Sequence, residues 1–282
     1  MEAAVFIVLA LSSAVLWGIW AFGVGRSSRH ASAWMVILVS EGCAALIYLV
    51  MGLATDALVF DRADVVPGLI AGLLNLGGNV LILSAYARGK LGVAAGIKPA
   101  QVLIPLSYSF IIGQQLHPLV AFGVIAILIG LSLFGFSSAR LAPAGGTDLR
   151  QVFLAVGAAI CYGLGNVVMD IGSRTSVYGT LLVSMIPMLT GAVLLVLITR
   201  SYSRLDSRTL GILVGAGAAL GLGAVAFYTA SDIGDLGLVA VLGSMSPIVT
   251  ALLAFAFLKE RLSRMEITAL AVVLFGTALA IA

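Results

Sequence analysis

Apolar residues occupy most of the chain and form ten runs, each about as long as a helix that crosses a bilayer. The runs cover approximately residues 4–25, 33–54, 65–86, 91–113, 117–136, 149–170, 177–198, 208–229, 235–257 and 265–282. A membrane barrel would instead show segments of alternating polarity, about ten residues long, and the sequence has none. The pattern predicts an all-α polytopic membrane protein with ten transmembrane helices.

The longest polar stretch, residues 137–150, divides the chain almost in half and prompts a search for an internal repeat. A repeat is found at an offset of 145 residues, because Trp17-Gly18 aligns with Tyr162-Gly163. Further pairs that keep this offset are Arg29 with Arg174, Gly72 with Gly217, Gly78 with Gly223 and Gly89 with Gly234. An offset that persists across three helices is not expected by chance.

Each half of the chain contains five predicted helices, which is an odd number. The halves must therefore enter the membrane in opposite orientations. We predict two inverted five-helix repeats, residues 1–140 and 149–282, joined by an inter-repeat loop at 141–148. Inverted repeats are the architecture of many secondary transporters, in which the substrate site lies near the midplane between the repeats.

The fourth run is unusual because Lys98 lies near its middle, close to Pro99, Gln101 and Pro105. A charge at the bilayer centre costs about 3 kcal/mol on insertion scales, and proline frees a backbone carbonyl that lipid cannot satisfy. This segment is therefore expected to face a polar cavity. Lys98 and Gln101 either receive a substrate carboxylate or phosphate, or Lys98 pairs internally with Glu41 on the second helix.

Other polar and aromatic side chains inside the runs are candidates for substrate binding. Asn75 and Asn79 lie one turn apart and either bind a substrate amine or amide or hold helix 3 against a neighbour. Trp17 on helix 1, and Tyr162 and Asn166 on helix 6, lie at repeat-related levels. These aromatic rings either pack on a substrate or contribute to the core.

Glu41 is interpreted as the only acid deep in an apolar run. It is expected to be either a proton carrier or the partner of Lys98. Alternating access also needs hinges, and proline and glycine are the usual causes of helix bends. The predicted hinge residues are Pro99, Pro105, Gly243 and Pro247.

Composition supports the membrane assignment, since 61% of the residues are hydrophobic and only 10% are charged. The net charge of +3 gives no reason to expect nucleic acid as a partner. Cys43 and Cys161 both fall inside apolar runs and lack the spacing of a metal site. The sequence contains no nucleotide-binding or hydrolase motif, so we expect no cofactor, no catalytic residues and no metal.

The basic residues are concentrated in alternate loops, which bears on orientation. Loops after the odd-numbered runs contain Arg26, Arg29, Arg88, Lys90, Arg140, Arg150, Arg200, Arg204, Arg208, Lys259, Arg261 and Arg264. The other loops contain only Arg62 and Arg174. The charge rule predicts that the odd-numbered loops are cytoplasmic and that both termini are outside.

The two repeats, each opening with an aromatic-Gly pair, resemble the EamA-type transporters of the drug/metabolite transporter superfamily. The second half has the clearest pattern: Gly237, then Ser246-Pro247, then Glu260-Arg-Leu262-Ser, and finally Gly276. In the first half the glutamate position is Gln115. The resemblance implies transport of small metabolites across a bacterial inner membrane. Within the superfamily the chain looks most like the YddG group of amino-acid exporters. Many members of the wider family are drawn with both termini cytoplasmic, which conflicts with the charge rule here.

The favoured function is a secondary transporter, in the exporting direction, for amino acids or similar metabolites that moves them by alternating access. A sugar-phosphate or nucleotide-sugar carrier is an alternative, but it would need more basic residues in its helices than Lys98 alone. A drug-type carrier for cations would need an acid in helix 1. A receptor or an intramembrane enzyme is a further class. The expected partners are the bilayer and a small molecule, and the chain is either a monomer or an oligomer.

Overall fold

The structure is a computed structural model that describes residues 2–88, 97–114, 117–140, 149–259 and 263–281. Every regular element in these ranges is helical. The first half contains α1 (Glu2–Ser27), α2 (Ala33–Ala54), α3 (Arg62–Arg88), a 3₁₀ segment (Lys98–Val102), α4 (Leu103–Ile111) and α5 (Pro118–Arg140). The second contains α6 (Leu149–Ser173), α7 (Val177–Ile198), α8 (Ser207–Ile233), α9 (Leu236–Gly243), α10 (Ser246–Leu258) and α11 (Arg264–Ile281). The predicted loop 141–148 lies outside the described residues.

Eight helical stretches in the described ranges are long and apolar enough to cross a membrane, and α9 and α10 together form one of them. Their outer faces carry large exposed apolar side chains, such as Ile198 at 75% exposure and Phe122 at 66%. Side chains of this kind are well solvated by lipid. The all-helical prediction is confirmed, whereas the count of ten spans and the inversion of the halves stay predictions.

The helices of the two halves pack against each other rather than forming separate bundles. α1 packs on α8 and α3 packs on α6, while α2 contacts both α7 and α8. α5 of the first half also packs against α11 of the second half. The buried core accordingly draws side chains from both halves, among them Tyr48, Leu131 and Phe227. The chain therefore folds as one helical body with its interior at the junction of the halves.

Two predicted runs are interrupted in the structure rather than continuous. In the first half, the 3₁₀ segment beginning at Lys98 precedes the short helix α4. In the second half, a turn at Ser244 and Met245 separates α9 from α10. A proline stands in the first turn of each following segment, Pro99 in the 3₁₀ segment and Pro247 in α10, where a residue without an N–H is tolerated. Pro105, a predicted hinge, lies inside α4.

Two glycines at related positions let these interrupted segments approach their neighbours closely. A Cβ added at Gly18 of α1 would lie 2.9 Å from the carbonyl oxygen of Ser246. A Cβ added at Gly163 of α6 would lie 2.6 Å from the carbonyl oxygen of Gln101. Gly18 and Gly163 differ by 145 positions, and so do Gln101 and Ser246. Each interruption is thus packed on an equivalent glycine of a repeat-related helix.

Candidate functional site

A cavity of about 100 Å³ lies between the two interrupted segments. Both halves contribute to its wall. The first half supplies Trp17, Lys98, Pro99, Gln101 and Val102. The second half supplies Asn166, Phe227, Ala240, Gly243, Ser244, Ser246 and Pro247. Interrupted helices at corresponding places of two repeats are the usual position of a transporter substrate site, so this cavity is the candidate functional site.

The cavity gathers part of the predicted set of binding residues. Trp17, Lys98, Gln101 and Asn166 line it. Of the predicted hinge residues, Pro99, Gly243 and Pro247 line it as well, each at an interruption. The predicted residues that do not line it are Asn75, Asn79, Tyr162, Glu41 and Pro105.

Tyr162 and Asn79 nevertheless belong to the surroundings of the cavity, because they support Lys98. The Lys98 ammonium lies 5.6 Å from the centre of the Tyr162 ring, within the range of a cation–π contact. The Tyr162 hydroxyl donates a hydrogen bond of 2.8 Å to Oδ1 of Asn79. The Asn79 amide nitrogen in turn lies 3.8 Å from the sulfur of Met188 on α7. Lys98 is therefore placed over a ring that is itself fixed to α3.

The structure does not join Lys98 to Glu41. Among the described residues, the ion pair within 4.0 Å that involves a deeply buried side chain is Arg174 with Asp170, and no such pair links Lys98 with Glu41. Glu41 lies on α2, outside the cavity wall, within electrostatic reach of the Tyr48 and Tyr162 hydroxyls. The internal pairing expected as one alternative for Lys98 thus has no contact to support it. The ammonium remains available to the cavity.

An aromatic wall closes the other side of the cavity. The Trp17 ring lies 5.1 Å from the ring of Phe227, which contacts Tyr228 edge-on at 4.9 Å. The Tyr228 hydroxyl donates a 3.3 Å hydrogen bond to Oδ1 of Asn166. The Asn166 amide nitrogen keeps its two hydrogen atoms for other acceptors. The wall therefore combines apolar ring faces with one oriented amide.

Asn75 lies on α3 and does not line the cavity. Its side-chain oxygen lies next to Gly165 of α6, where an added Cβ would approach it to 3.3 Å. The two asparagines predicted to act together are thus separated in role, because Asn79 bonds to Tyr162 and Asn75 packs at the interface of α3 with α6.

Asp170 is another acid that the structure buries in a helix, close to the end of α6. The helix α6 continues to Ser173, past the predicted end of the sixth run, so Asp170 lies inside it and is 1% exposed. Its carboxylate pairs with Arg174 at 3.2 Å, one turn further along. The acid was missed because it lies at the polar edge of the run, where a loop residue is equally expected.

Sequence reasoning also missed five residues that line the cavity: the polar Ser244 and Ser246, and the apolar Val102, Phe227 and Ala240. The repeat offset contained a signal for the serines, because Ser244 and Ser246 are the counterparts of Pro99 and Gln101. Phe227 gave no signal of this kind, since one apolar residue in an apolar run is not distinctive.

The ends of the interrupted segments add polar groups of the backbone to the cavity. Pro247 has no N–H, so the carbonyl of Gly243 lacks its helical donor beside the cavity. α10 begins at Ser246, but its first turn offers few free N–H groups, because Pro247 has none and the N–H of Ile248 donates to the Met245 carbonyl at 2.9 Å. The cavity can therefore receive an anionic group near Lys98 and a hydrogen-bond donor near Gly243.

Comparison with known proteins agrees with this architecture. Residues 149–282 match the EamA-like transporter family. A solved structure, described only as the crystal structure of a protein, matches with a TM-score of 0.82 and 19% identity over 98% of this chain and 96% of its own. No curated protein matches the sequence. The family match and the apolar helices indicate an integral membrane protein, and the solved structure shares its fold.

Proposed function

We propose that this protein is a secondary transporter that exports amino acids or similar small zwitterionic metabolites across a bacterial inner membrane. The observation that carries the proposal is the cavity between two interrupted helices, whose wall includes Lys98. The match of residues 149–282 to the EamA-like transporter family supports transport of small metabolites. The exporting direction and the YddG-like substrate class rest on the sequence resemblance.

Repeat-related contacts support two inverted repeats with the substrate site between them. The pairing of Gly18 with Ser246 is repeated, 145 residues along the chain, by that of Gly163 with Gln101, the partners being exchanged between halves. The packing of α1 on α8 corresponds in the same way to that of α6 on α3. A twofold relation of this kind is expected of inverted repeats and gives the two interruptions equivalent places.

The charges of the wall favour a zwitterion over the alternative substrates. Among the described residues that line the cavity, Lys98 is the one with a charged side chain. A sugar phosphate or nucleotide sugar carries about two negative charges and calls for more cations, whereas a cationic drug calls for an acid. A carboxylate can bind Lys98, and an ammonium can donate to the Gly243 carbonyl and to serine hydroxyls.

The size of the cavity implies that the helices move during transport. Its volume of about 100 Å³ is smaller than the roughly 300–1,000 Å³ of typical ligand pockets. We therefore take the described conformation to be a contracted one in an alternating-access cycle. The turn next to Gly243 and the 3₁₀ segment that contains Pro99 are the proposed hinges, because chain segments outside regular α-helices absorb backbone rotation at low cost.

The test is counterflow of labelled amino acids in proteoliposomes, with half-saturation concentrations measured for small, large and aromatic substrates. Lys98→Ala should raise all of them by a similar factor of about 10 to 150, since one charge-assisted contact is worth about 1.5–3 kcal/mol. Arg62→Ala removes an exposed positive charge outside the cavity and should transport normally.

Two results would contradict the proposal. The first is a well-folded wild-type protein that gives no saturable counterflow with any amino acid, as expected of a receptor. The second is that a double mutant with Lys98→Ala and Glu41→Gln regains both the melting temperature and the flux that Lys98→Ala alone has lost. Such recovery would indicate that the two residues form a structural pair, in spite of their separation in the structure.

A further inference from the structure

The end of α1 on the side of the basic loops separates two cavities that have no part in the proposed transport site. One, of about 350 Å³, lies between α1 and α10, and the other, of about 280 Å³, lies between α1 and α8. Arg26 and His30 line both cavities. Arg29 adds a second guanidinium to the first cavity and Arg208 adds one to the second. Each cavity is therefore lined by two guanidinium groups, of which that of Arg26 is shared.

The cavity between α1 and α10 is amphiphilic along its length. Near the ends of α1 and α10 it is lined by Arg26, His30 and Leu258, and further into the membrane by Phe22, Ala254 and Thr250. Phe22 packs on Phe257 at 6.1 Å, and Phe257 is 70% exposed on the outer surface of the bundle. An apolar groove that begins at a basic site and runs along the lipid-facing surface matches the shape of an acyl chain below its phosphate.

The cavity between α1 and α8 offers polar partners for a head group. Ser27 is 1% exposed, and its hydroxyl has no hydrogen-bond partner among the described residues. The Asp206 carboxylate caps α8 by accepting from the N–H groups of Arg208 and Thr209. Hydrogen bonds from Thr209, through its side chain first, lower the pKa of Asp206, so this side chain is an anion at neutral pH.

We propose that this site binds an anionic phospholipid with a hydroxyl-bearing head group, of which phosphatidylglycerol is the test case. Its phosphate lies against Arg26 and His30, and one acyl chain follows the groove between α1 and α10. The head-group hydroxyls enter the second cavity, where they satisfy Ser27 and donate to Asp206. A second phosphate is disfavoured there, because the Asp206 carboxylate would repel it.

The site is separate from the transport cavity. Between the two, α1 and α10 touch at Gly18, where the Thr250 hydroxyl lies 3.1 Å from the Gly18 carbonyl oxygen and 3.0 Å from that of Ser246. Basic pockets between transmembrane helices on the cytoplasmic side are known to hold lipid head groups. A bound lipid would contact both α1 and α10 at their ends near the basic loops. It would therefore stabilise the conformation in which this cavity is present.

The experiment measures lipid binding by native mass spectrometry and melting temperature in detergent, with phosphatidylglycerol or zwitterionic phosphatidylcholine added. A ligand that binds the folded state raises the melting temperature as its concentration increases, so phosphatidylglycerol should stabilise the protein and phosphatidylcholine should not. Arg26→Gln should weaken phosphatidylglycerol binding about fivefold or more, the factor for one basic residue at a membrane surface.

Matched variants separate this site from general attraction to charge or lipid. Arg204→Gln removes the same charge from an exposed position in the loop before α8 and should bind as the wild type does. Ala254→Leu fills the groove and should weaken binding, whereas Ala256→Leu on the exposed face of α10 should not. Each of three results would overturn the proposal: equal binding of the two lipids, equal losses in Arg26→Gln and Arg204→Gln, or equal stabilisation by inorganic phosphate. Transport assays play no part, so failure here leaves the proposed function untouched.

Discussion

The two interrupted helices share a packing scheme but differ in chemistry. Each starts its second segment near a proline and lies on a glycine of the repeat-related helix, Gly163 in one case and Gly18 in the other. The first interruption carries the cation Lys98, whereas the second carries Gly243 and two serines. The supports differ as well, since Lys98 lies over Tyr162, whose counterpart Trp17 packs on Phe227.

The difference indicates which features serve helix packing and which serve substrate binding. Glycine contacts and interruptions recur in both halves because helices of equivalent position must approach each other equally closely. A zwitterion carries opposite charges at its two ends, so a site that binds it needs different chemical groups on its two sides. Under the proposed function, the first half supplies the positive charge and the second half supplies acceptors and the aromatic wall.

The largest effect is expected from labelling the C-terminal ends of the repeat-related helices α1 and α6 from the two sides of the membrane. In a background with Cys43→Ala and Cys161→Ala, single cysteines replace Ser28 or Thr175, which are exposed at the ends of α1 and α6. If the halves are inverted, a membrane-impermeant maleimide added to intact cells should label one of them completely and the other hardly at all. The charge rule places Ser28 inside. Labelling of both from the same side would refute the inversion.

The next effect concerns the glycines beneath the interruptions. Gly18→Ala and Gly163→Ala should each lower the free energy of unfolding by about 1–3 kcal/mol, because the new methyl group would overlap backbone atoms of the facing segment. Gly42→Ala on α2 is the control, since a Cβ there meets nothing within 4 Å and alanine favours a helix. Melting in detergent gives the comparison. A loss confined to one of the two glycines would show that the interruptions are not packed equivalently.

The smallest effect should distinguish Trp17 from Tyr162. Trp17 lines the cavity, so Trp17→Ala should change the ranking of substrates by about 2- to 10-fold, according to their side chains. Tyr162→Phe keeps the ring but loses the bond to Asn79, worth about 0.5–1.5 kcal/mol, and should weaken all substrates alike. Half-saturation constants for glycine, leucine and phenylalanine decide between these patterns, with exposed Tyr202→Phe as control. A side-chain-dependent effect of Tyr162→Phe would place its hydroxyl in contact with substrate.

The sequence by itself determined the helical membrane fold and the neighbourhood of the site. Apolar runs predict helices because lipid leaves the backbone no other partner for its hydrogen bonds, and this holds whatever the tertiary packing. The offset of 145 residues and the position of Lys98 between Pro99 and Pro105 were equally local features. They were sufficient to predict an irregular segment beside a polar cavity.

Tertiary structure decided which side chains meet there. Rotation of each helix about its axis depends on the neighbours it packs against, and in apolar helices the sequence pattern hardly constrains it. Packing alone therefore separated Lys98 from Glu41, buried Asp170 and brought Ser246 to the cavity. It also turned Asn75 toward Gly165 while Asn79, one turn away, reached Tyr162. Contacts between residues far apart in sequence are set by helix rotation and close approach, which no local pattern records.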